Sequence, residues 1–491
     1  MTYLKAFNRS LHWIEKFSIN GQGIAVSSKQ KKQSYPEVSG YLIPSLISIG
    51  ERKRALVYAN WLKSVQGPSG SWTSPDGTPN FFFDSGQILK GLISAEKNFG
   101  GFRDCLKKLL DWMISVINDD GSIASSDVDA WAGEVPTEVL LYSLAPMLDA
   151  LILLGYSSDD PAFEKIDTAK NRMIRSLNPL PTFNCLSHFH AYIIEGLIDL
   201  GEIELAEAGL ESAQKMKKLS GAIPCYPNEI AVCSTGLFQY ALCYFKLGDL
   251  DEGKILFNEA LKLQNRSGGW YGSYGKDARY FAKSEIPWAV KYFFDSLNFM
   301  IKLEFEKMSH IFPTDISVND DRYKAVRDLV SSSKKSAKVL DLGCGKGRYL
   351  KNLCKEYPEL NYYGVDLSEK VMSYIADDVV KKQGSITEVP YADNFFDIVV
   401  CNEALEHAMN VKGAIAEIHR VLKIDGKVII IDKNKRFFRK MKILKWEQWF
   451  SSKDMIYILK QSGFEVNVLK NLSYENSTGA DGLFSAWIGT K

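Results

Sequence analysis

Cysteine is sparse and unpaired in this 491-residue chain: eight residues, scattered singly. With no C-x-x-C pair and no zinc-like spacing, that pattern argues against a disulfide framework and suits thiols kept reduced in a cytoplasm. Histidine is scarcer still, six in all, and no cluster of them completes a metal site, so no metal is expected. Neither sign of charge dominates. Sixty Lys and Arg against 59 Asp and Glu leave a net charge of +1, which gives no global pull toward nucleic acid or an anionic membrane. The first residues, MTYLKAFNRSLHW, lack the apolar core of a signal peptide, and no apolar run reads as long enough to span a bilayer. What remains is a globular composition, 46% apolar and 24% charged, on a chain long enough for two or three domains.

The chain has two grammars. Residues 1–305 read as helix after helix. Residues 306–334, punctuated by Pro313 and Ser331–Ser333, read as a linker and a leading helix. From residue 335 to 491, short apolar strands alternate with amphipathic helices, the pattern of a mostly parallel α/β sheet. In the first part, Gly50, Gly155, Gly201 and Gly248 each follow an apolar helix end, where glycine can take the left-handed conformation. The last three are roughly 46 residues apart, a helical-hairpin period. A second mark recurs at Gly70-Ser71-Trp72, Gly121-Ser122-Ile123, Gly221-Ala222-Ile223 and Gly268-Gly269-Trp270. Each pair joins a strongly apolar helix to an amphipathic one, so an inner ring inside an outer ring, an (α/α)6 toroid, is the expected architecture.

Chemistry concentrates at Lys338–Gly347 (KVLDLGCGKG), a strand running into a glycine turn and a helix. Without Cβ atoms, Gly343, Gly345 and Gly347 let the backbone pass close under a ligand, and the helix start offers free N–H groups. Glycines alone would also suit a dinucleotide. The G-x-G-x-G alternation after Asp341 favours an amino acid joined to a nucleoside, with no pyrophosphate to cradle. About 20 residues on, a second strand ends in Asp366, where ribose hydroxyls need an acceptor. Gly384-Ser385-Ile386, then Phe396–Asn402 running into Glu403-Ala-Leu-Glu406-His407, complete the order.

These blocks resemble the type 11 subgroup of class I S-adenosylmethionine (SAM)-dependent methyltransferases, with an α/β Rossmann-like fold over residues 335–490. The resemblance implies SAM as cofactor, with Gly343, Cys344, Gly345 and Gly347 beneath its methionine part. It also implies Asp341 at the ammonium end, Asp366 and Leu367 at the ribose, and Ser385 and Ile386 at the adenine, with Asn402 completing the set. Many relatives carry an acid where Ser385 stands, and serine accepts a bond from the adenine amino group more weakly. His407 is the candidate general base for a hydroxyl acceptor, oriented by Glu406. A purely shaping role for Leu405–His407 is the alternative.

Residues 30–300 resemble the six-hairpin toroids of carbohydrate-active proteins, namely glycosidases, polysaccharide lyases and N-acylglucosamine epimerases. YPEVSGYLIPSLISIGE, FFFDSGQILKGL and LSHFHAYIIEGLIDLGE look like segments from bacterial surface-polysaccharide synthesis. That resemblance implies a saccharide or lipid-linked saccharide acceptor. Glu37, Tyr41, Asp84, Glu138, His188, His190, Glu285 and Trp288 start or line the apolar helices and are candidate sugar contacts. Glutamates and aspartates on such helices are costly to bury unpaired. One alternative is that the toroid is itself a glycoside hydrolase, lyase or epimerase with the methyltransferase-like domain as an accessory. Gln66–Trp72 (QGPSGSW) resembles a repeat of prenyltransferases and terpene cyclases, which makes an isoprenoid acceptor a second alternative; Asp127-Val-Asp129-Ala130 only partly echoes their aspartate-rich signature. The stretch Lys433–Trp449 mixes basic and aromatic residues and is read as a cover for the acceptor site, or as a peripheral membrane contact.

Overall fold

Amphipathic and buried helices alternate through the first 308 residues of the computed structural model, which describes residues 2–73, 81–124, 135–438, 444–473 and 482–491. In chain order they are α1 (Tyr3–Phe17), α2 (Pro36–Ser48), α3 (Arg52–Ser64), α4 (Phe82–Phe99), α5 (Arg103–Ser115) and α6 (Leu141–Leu154). Then follow α7 (Pro161–Ser176), α8 (Ser187–Asp199), α9 (Ile203–Gln214), α10 (Ser234–Lys246), α11 (Leu250–Lys262) and α12 (Pro287–Met308). The odd-numbered helices bury one stripe. In α5 that stripe is Cys105, Leu106, Leu109, Leu110 and Met113, at helical spacing. The even-numbered helices bury far more; in α10 every residue from Ser234 to Phe245 is buried.

The chain is divided into two compact units, the first of them Lys5–Leu46 with Arg52–Leu303. In it the buried helices approach backbone to backbone where glycine removes the side chain. A Cβ on Gly91 of α4 would lie 2.5 Å from the Gly40 carbonyl of α2, and one on Gly196 of α8 would lie 2.7 Å from Tyr142 N of α6. Contacts continue from α4 to α6 (Gly86 against Ser143) and from α8 to α10 (His188 to Gln239). They run on from α10 to α12 (Phe238 against Phe293) and from α12 back to α2 (Ser45 to Asp295, 2.6 Å). Among the amphipathic helices, α1 reaches the far end of the same unit: Ser10 donates to Gly268 O at 3.0 Å, and Trp13 Nε1 donates to Glu285 at 2.7 Å. Gly50, Gly155, Gly201 and Gly248 all close helices with φ between 80° and 83°. One stretch, Thr137–Leu154, is long and apolar enough by composition to cross a membrane, contrary to the reading of the sequence. It contains α6, which packs between α4 and α8.

The second unit comprises Thr2–Leu4, Ile47–Glu51 and Glu304–Lys491. Residues 306–334 are therefore not a free linker. The helix α13 (Asp321–Ser331) sets Tyr323, Val326 and Val330 into this unit's core. Its sheet has seven strands: β1 (Lys338–Leu342), β2 (Asn361–Asp366), β3 (Val380–Gln383), β4 (Phe396–Asn402), β5 (Leu422–Lys433), β6 (Glu465–Leu472) and β7 (Phe484–Thr490). The order across the sheet is 6-7-5-4-1-2-3; β1 to β5 are parallel, and β7 is antiparallel to both β5 and β6. One apolar layer, with α13 and α14 (Leu350–Glu356), covers one face. The other layer carries α16 (Val411–Val421) and α17 (Ser452–Gln461), while α15 (Glu369–Met372) follows β2. Strand order reverses at β1, so the carboxyl ends of β1, β2 and β4 open onto the crevice where such sheets bind ligands.

Candidate cofactor and acceptor sites

The glycine turn is built on β1 and β2. Gly343, Gly345 and Gly347 have φ of 77°, 52° and 74°, a region that side-chain-bearing residues seldom enter. Gly343 N and Cys344 N donate to Val365 O, and Gly345 N donates to Asp366 Oδ2 at 2.9 Å. Asp366 Oδ1 also accepts from Ser368 N. Burial raises the Asp366 pKa, and these backbone N–H groups oppose the rise. A Cβ on Gly343 would meet Ala404 Cβ at 2.4 Å, so the turn rests on the segment after β4.

Asp341 is buried, and burial pushes its pKa up to about 7, against the pull of the Arg348 charge. It pairs with Val400 across β1 and β4, so Asn402, two residues further on, lies on the same sheet face. Asn402 is buried and neither of its amide atoms has a hydrogen-bond partner. Buried amides are seldom left so, and this one ends β4, the strand paired with the one that runs into the glycine turn. Three glycines in open backbone, a carboxylate at the end of β2 and an unmet amide fit an amino acid joined to a nucleoside. Leu367 and Ile386 are half-buried beside this crevice, and Cys344 is buried. The Ser385 hydroxyl is bonded to Thr387 Oγ1 at 2.7 Å and accepts from Thr387 N at 3.2 Å, so it caps that turn and keeps one acceptor lone pair.

His407 lies in a short turn after β4, its Nδ1 buried without a partner and its ring edge-on to Phe305 at 5.0 Å. Burial lowers its pKa to about 4, so the imidazole is neutral. Glu406 does not serve as its dedicated orienter. The carboxylate is ion-paired with Lys433, and His407 Nε2 is 3.6 Å away. Within Lys433–Trp449, residues 439–443 lie outside the described residues. Trp446 and Trp449 are buried, and Trp449 Nε1 donates to Glu447 at 2.6 Å, so neither indole is presented to a membrane surface.

In the first unit the predicted residues separate. Tyr41 is not open to a ligand: it is fully buried, and its hydroxyl meets those of Tyr142, Tyr192 and Tyr292. Tyr292 donates onward to Glu195 at 2.9 Å, and Gln239 bonds Glu195, Tyr292 and His188. Burial alone would raise the Glu195 pKa, but Lys246, Lys291 and Lys90 outweigh it and hold the carboxyl at about 2. His188 joins this cluster; His190 does not, because Tyr240 and Pro181 O occupy both its ring nitrogens. Glu285 likewise ties elements together, through Trp13, Asn265 and Ser267. Glu37 and Asp84 are half-buried at the starts of α2 and α4 and are electrostatically coupled, with Tyr35 donating to Asp84. Burial and then the Asp84 charge raise the Glu37 pKa, against Lys291. Trp288 Nε1 donates to Tyr280, and Glu138 stands half-buried before α6. Asp127–Ala130 lies outside the described residues.

Comparison with known proteins agrees with the second unit. A model of the methyltransferase domain family matches residues 340–430. An uncharacterised protein of Methanocaldococcus jannaschii is 38% identical over 103 residues, 21% of this chain and 44% of its own length. A second from the same organism is 32% identical over 175 residues, 33% of this chain and 80% of that protein. Demethylmenaquinone methyltransferase of Lactobacillus johnsonii is 34% identical over 123 residues, 23% of this chain and 50% of that enzyme. The chain thus spans about half the length of the first and third of these relatives. The C-terminal unit of this chain therefore carries a methyltransferase domain, matched over residues 340–430.

Proposed function

We propose that the protein O-methylates a saccharide in the synthesis of a bacterial surface polysaccharide or glycoconjugate, in the cytoplasm. The helical unit, read as an (α/α)6 toroid, binds or processes that saccharide. The observation that carries this reading is the pair of half-buried carboxylates Glu37 and Asp84 in a unit where His188 and Trp288, near the starts of two central helices, both meet Tyr280 of the preceding loop. Carboxylates accept sugar hydroxyls, and aromatic faces stack on sugar rings. Below them the tyrosine cluster is closed on itself, so it serves as a floor and not as a contact surface.

SAM, when bound, supplies a methyl group already activated on sulfur, so the protein's part is alignment and proton handling. In this reading Asp366 holds the ribose hydroxyls, the glycine turn lies under the methionine part, and Ile386 flanks the adenine. Nδ1 of His407 has no partner in the protein, so in the tautomer protonated at Nε2 its lone pair is the one to take the acceptor hydroxyl's proton. The demethylmenaquinone relative favours a second reading in which the acceptor bears an isoprenoid. Incubation with methyl-labelled SAM and two acceptor pools, lipid-linked oligosaccharides and isoprenoid quinones, separates the two. Label on a sugar oxygen supports the first reading, and label confined to quinone overturns it.

A further inference from the structure

Two oxygen acceptors near the starts of α2 and α4 lack donors in the protein. The first is the Glu37 carboxylate: among the described residues nothing hydrogen-bonds or ion-pairs with it. The second is Gln87 Oε1, on a side chain that is fully buried. The amide N–H of Gln87 bends back to Phe83 O at 3.1 Å, which carries the orphan oxygen toward the first turn of α4, where Asp84 stands. A buried amide oxygen is seldom left so unless something else meets it.

Helix packing brings these groups together. A Cβ on Gly40, three residues after Glu37, would lie 2.7 Å from Ile88 Cα, four residues after Asp84. Both acids therefore stand about one turn before the point where α2 and α4 touch, on the facing sides. Burial, and after it the Asp84 charge, raises the Glu37 pKa well above the ordinary 4.5. Lys291 of α12 opposes the rise, but its ammonium is engaged by Asp295 at 3.1 Å. Burial chiefly, and the Glu37 charge among lesser causes, raises the Tyr280 pKa, so that ring is also within reach of the acid. Tyr280 in turn accepts from Trp288 Nε1 at 3.1 Å.

Resting on the saccharide reading of this unit, we propose that the site takes the ammonium of an amino sugar whose nitrogen carries no acyl group. Glu37 and Asp84 share its charge, Gln87 Oε1 accepts one N–H, and Tyr280 and Trp288 stand beside its ring. An ammonium fits because it is donor-only and carries a full charge, whereas a sugar hydroxyl brings one donor and no charge. Aromatic faces attract the same cation. Binding also moves a proton. A cation beside the two carboxylates favours the ionised form of both, so Glu37 releases its proton to solvent.

Calorimetry on the intact protein at pH 6 tests this with four probes: glucosamine, glucose, N-acetylglucosamine and cyclohexylamine, which has the charge and a ring but no hydroxyls. Unaltered protein is expected to bind glucosamine about 10-fold or more tightly than glucose or N-acetylglucosamine. It should release up to about one proton as it does so, read from the difference in heat between phosphate and MES buffers. Glu37→Gln should abolish that release and weaken glucosamine about 10-fold, with glucose changed less than about twofold. Glucosamine bound no more tightly than glucose, or bound without proton release by unaltered protein, overturns the proposal and leaves the saccharide reading standing. Cyclohexylamine bound as tightly as glucosamine overturns the sugar part and the reading beneath it, and so does a lack of binding by all four probes.

Discussion

The centre of the helical unit and the strand ends of the sheet unit treat buried polar groups in opposite ways. Around Glu195, hydroxyl, amide, imidazole and ammonium groups from several helices bond one another until the cluster is closed. At the ends of β1 and β4, Asn402, Asp341 and most of Arg348 are left open. A closed network rigidifies and selects one packing; an open one costs stability that a ligand later returns. The first region is built to hold the helices, the second to hold something else.

The largest test of this contrast is Glu195→Ala. It leaves Lys246 and Lys291 near a lost counter-charge and should cost about 3–5 kcal/mol in urea unfolding. S-adenosylhomocysteine affinity of the surviving folded protein should stay unchanged, and a parallel loss would mean that the two regions are not separate in function. Next comes Asp366→Ala, expected to weaken S-adenosylhomocysteine about 100-fold by calorimetry, since the proposed ribose acceptor and the anchor of Gly345 N are lost together. Unchanged affinity would remove Asp366 from the site.

Acid gives a smaller effect with a definite sign. Burial lowers His188 to about 3 and His190 to about 4 from an ordinary 6.5, so the unfolded chain takes up protons that the folded chain refuses. Their contribution is complete above pH 6.5 and falls with pH toward those values, by about 2 kcal/mol each at pH 5. Thermal melts from pH 7 to 5 should fall less steeply in His188→Phe; an identical slope would take His188 out of the account. The smallest effect sharpens the comparison most. Asn402→Leu removes an unmet amide and should stabilise the fold by about 1 kcal/mol while weakening S-adenosylhomocysteine about 10-fold. Lost stability together with unchanged binding would show the amide to be structural.

Much of the fold was legible because periodicity reports it. The helix-closing glycines, the switch from helices to strands after residue 335, and the glycine turn between Asp341 and Asp366 are all local patterns. The sites were legible only where chemistry is local too. His188 and His190 are two residues apart, yet one enters the central cluster and the other bonds Tyr240 and Pro181, because neighbouring positions on a helix point in different directions. Tyr41 read as a sugar contact, and three other tyrosines cover it. Glu285 read as a lining acid, and it ties α1 to a loop some 270 residues away (|i−j| = 272).

By itself the sequence determined the class of ligand in the C-terminal unit. Glycines that take positive φ, and an acid a fixed distance on, are properties of a short strand–turn–strand segment and need no distant partner. Only the tertiary structure decided which polar side chains are satisfied by the protein and which are left for a ligand. That is a count of hydrogen-bond partners, and those partners come from β4, α13 and helices far apart in the chain. The same count separates Asn402 from Tyr41, two buried polar residues that look alike until their neighbours are known.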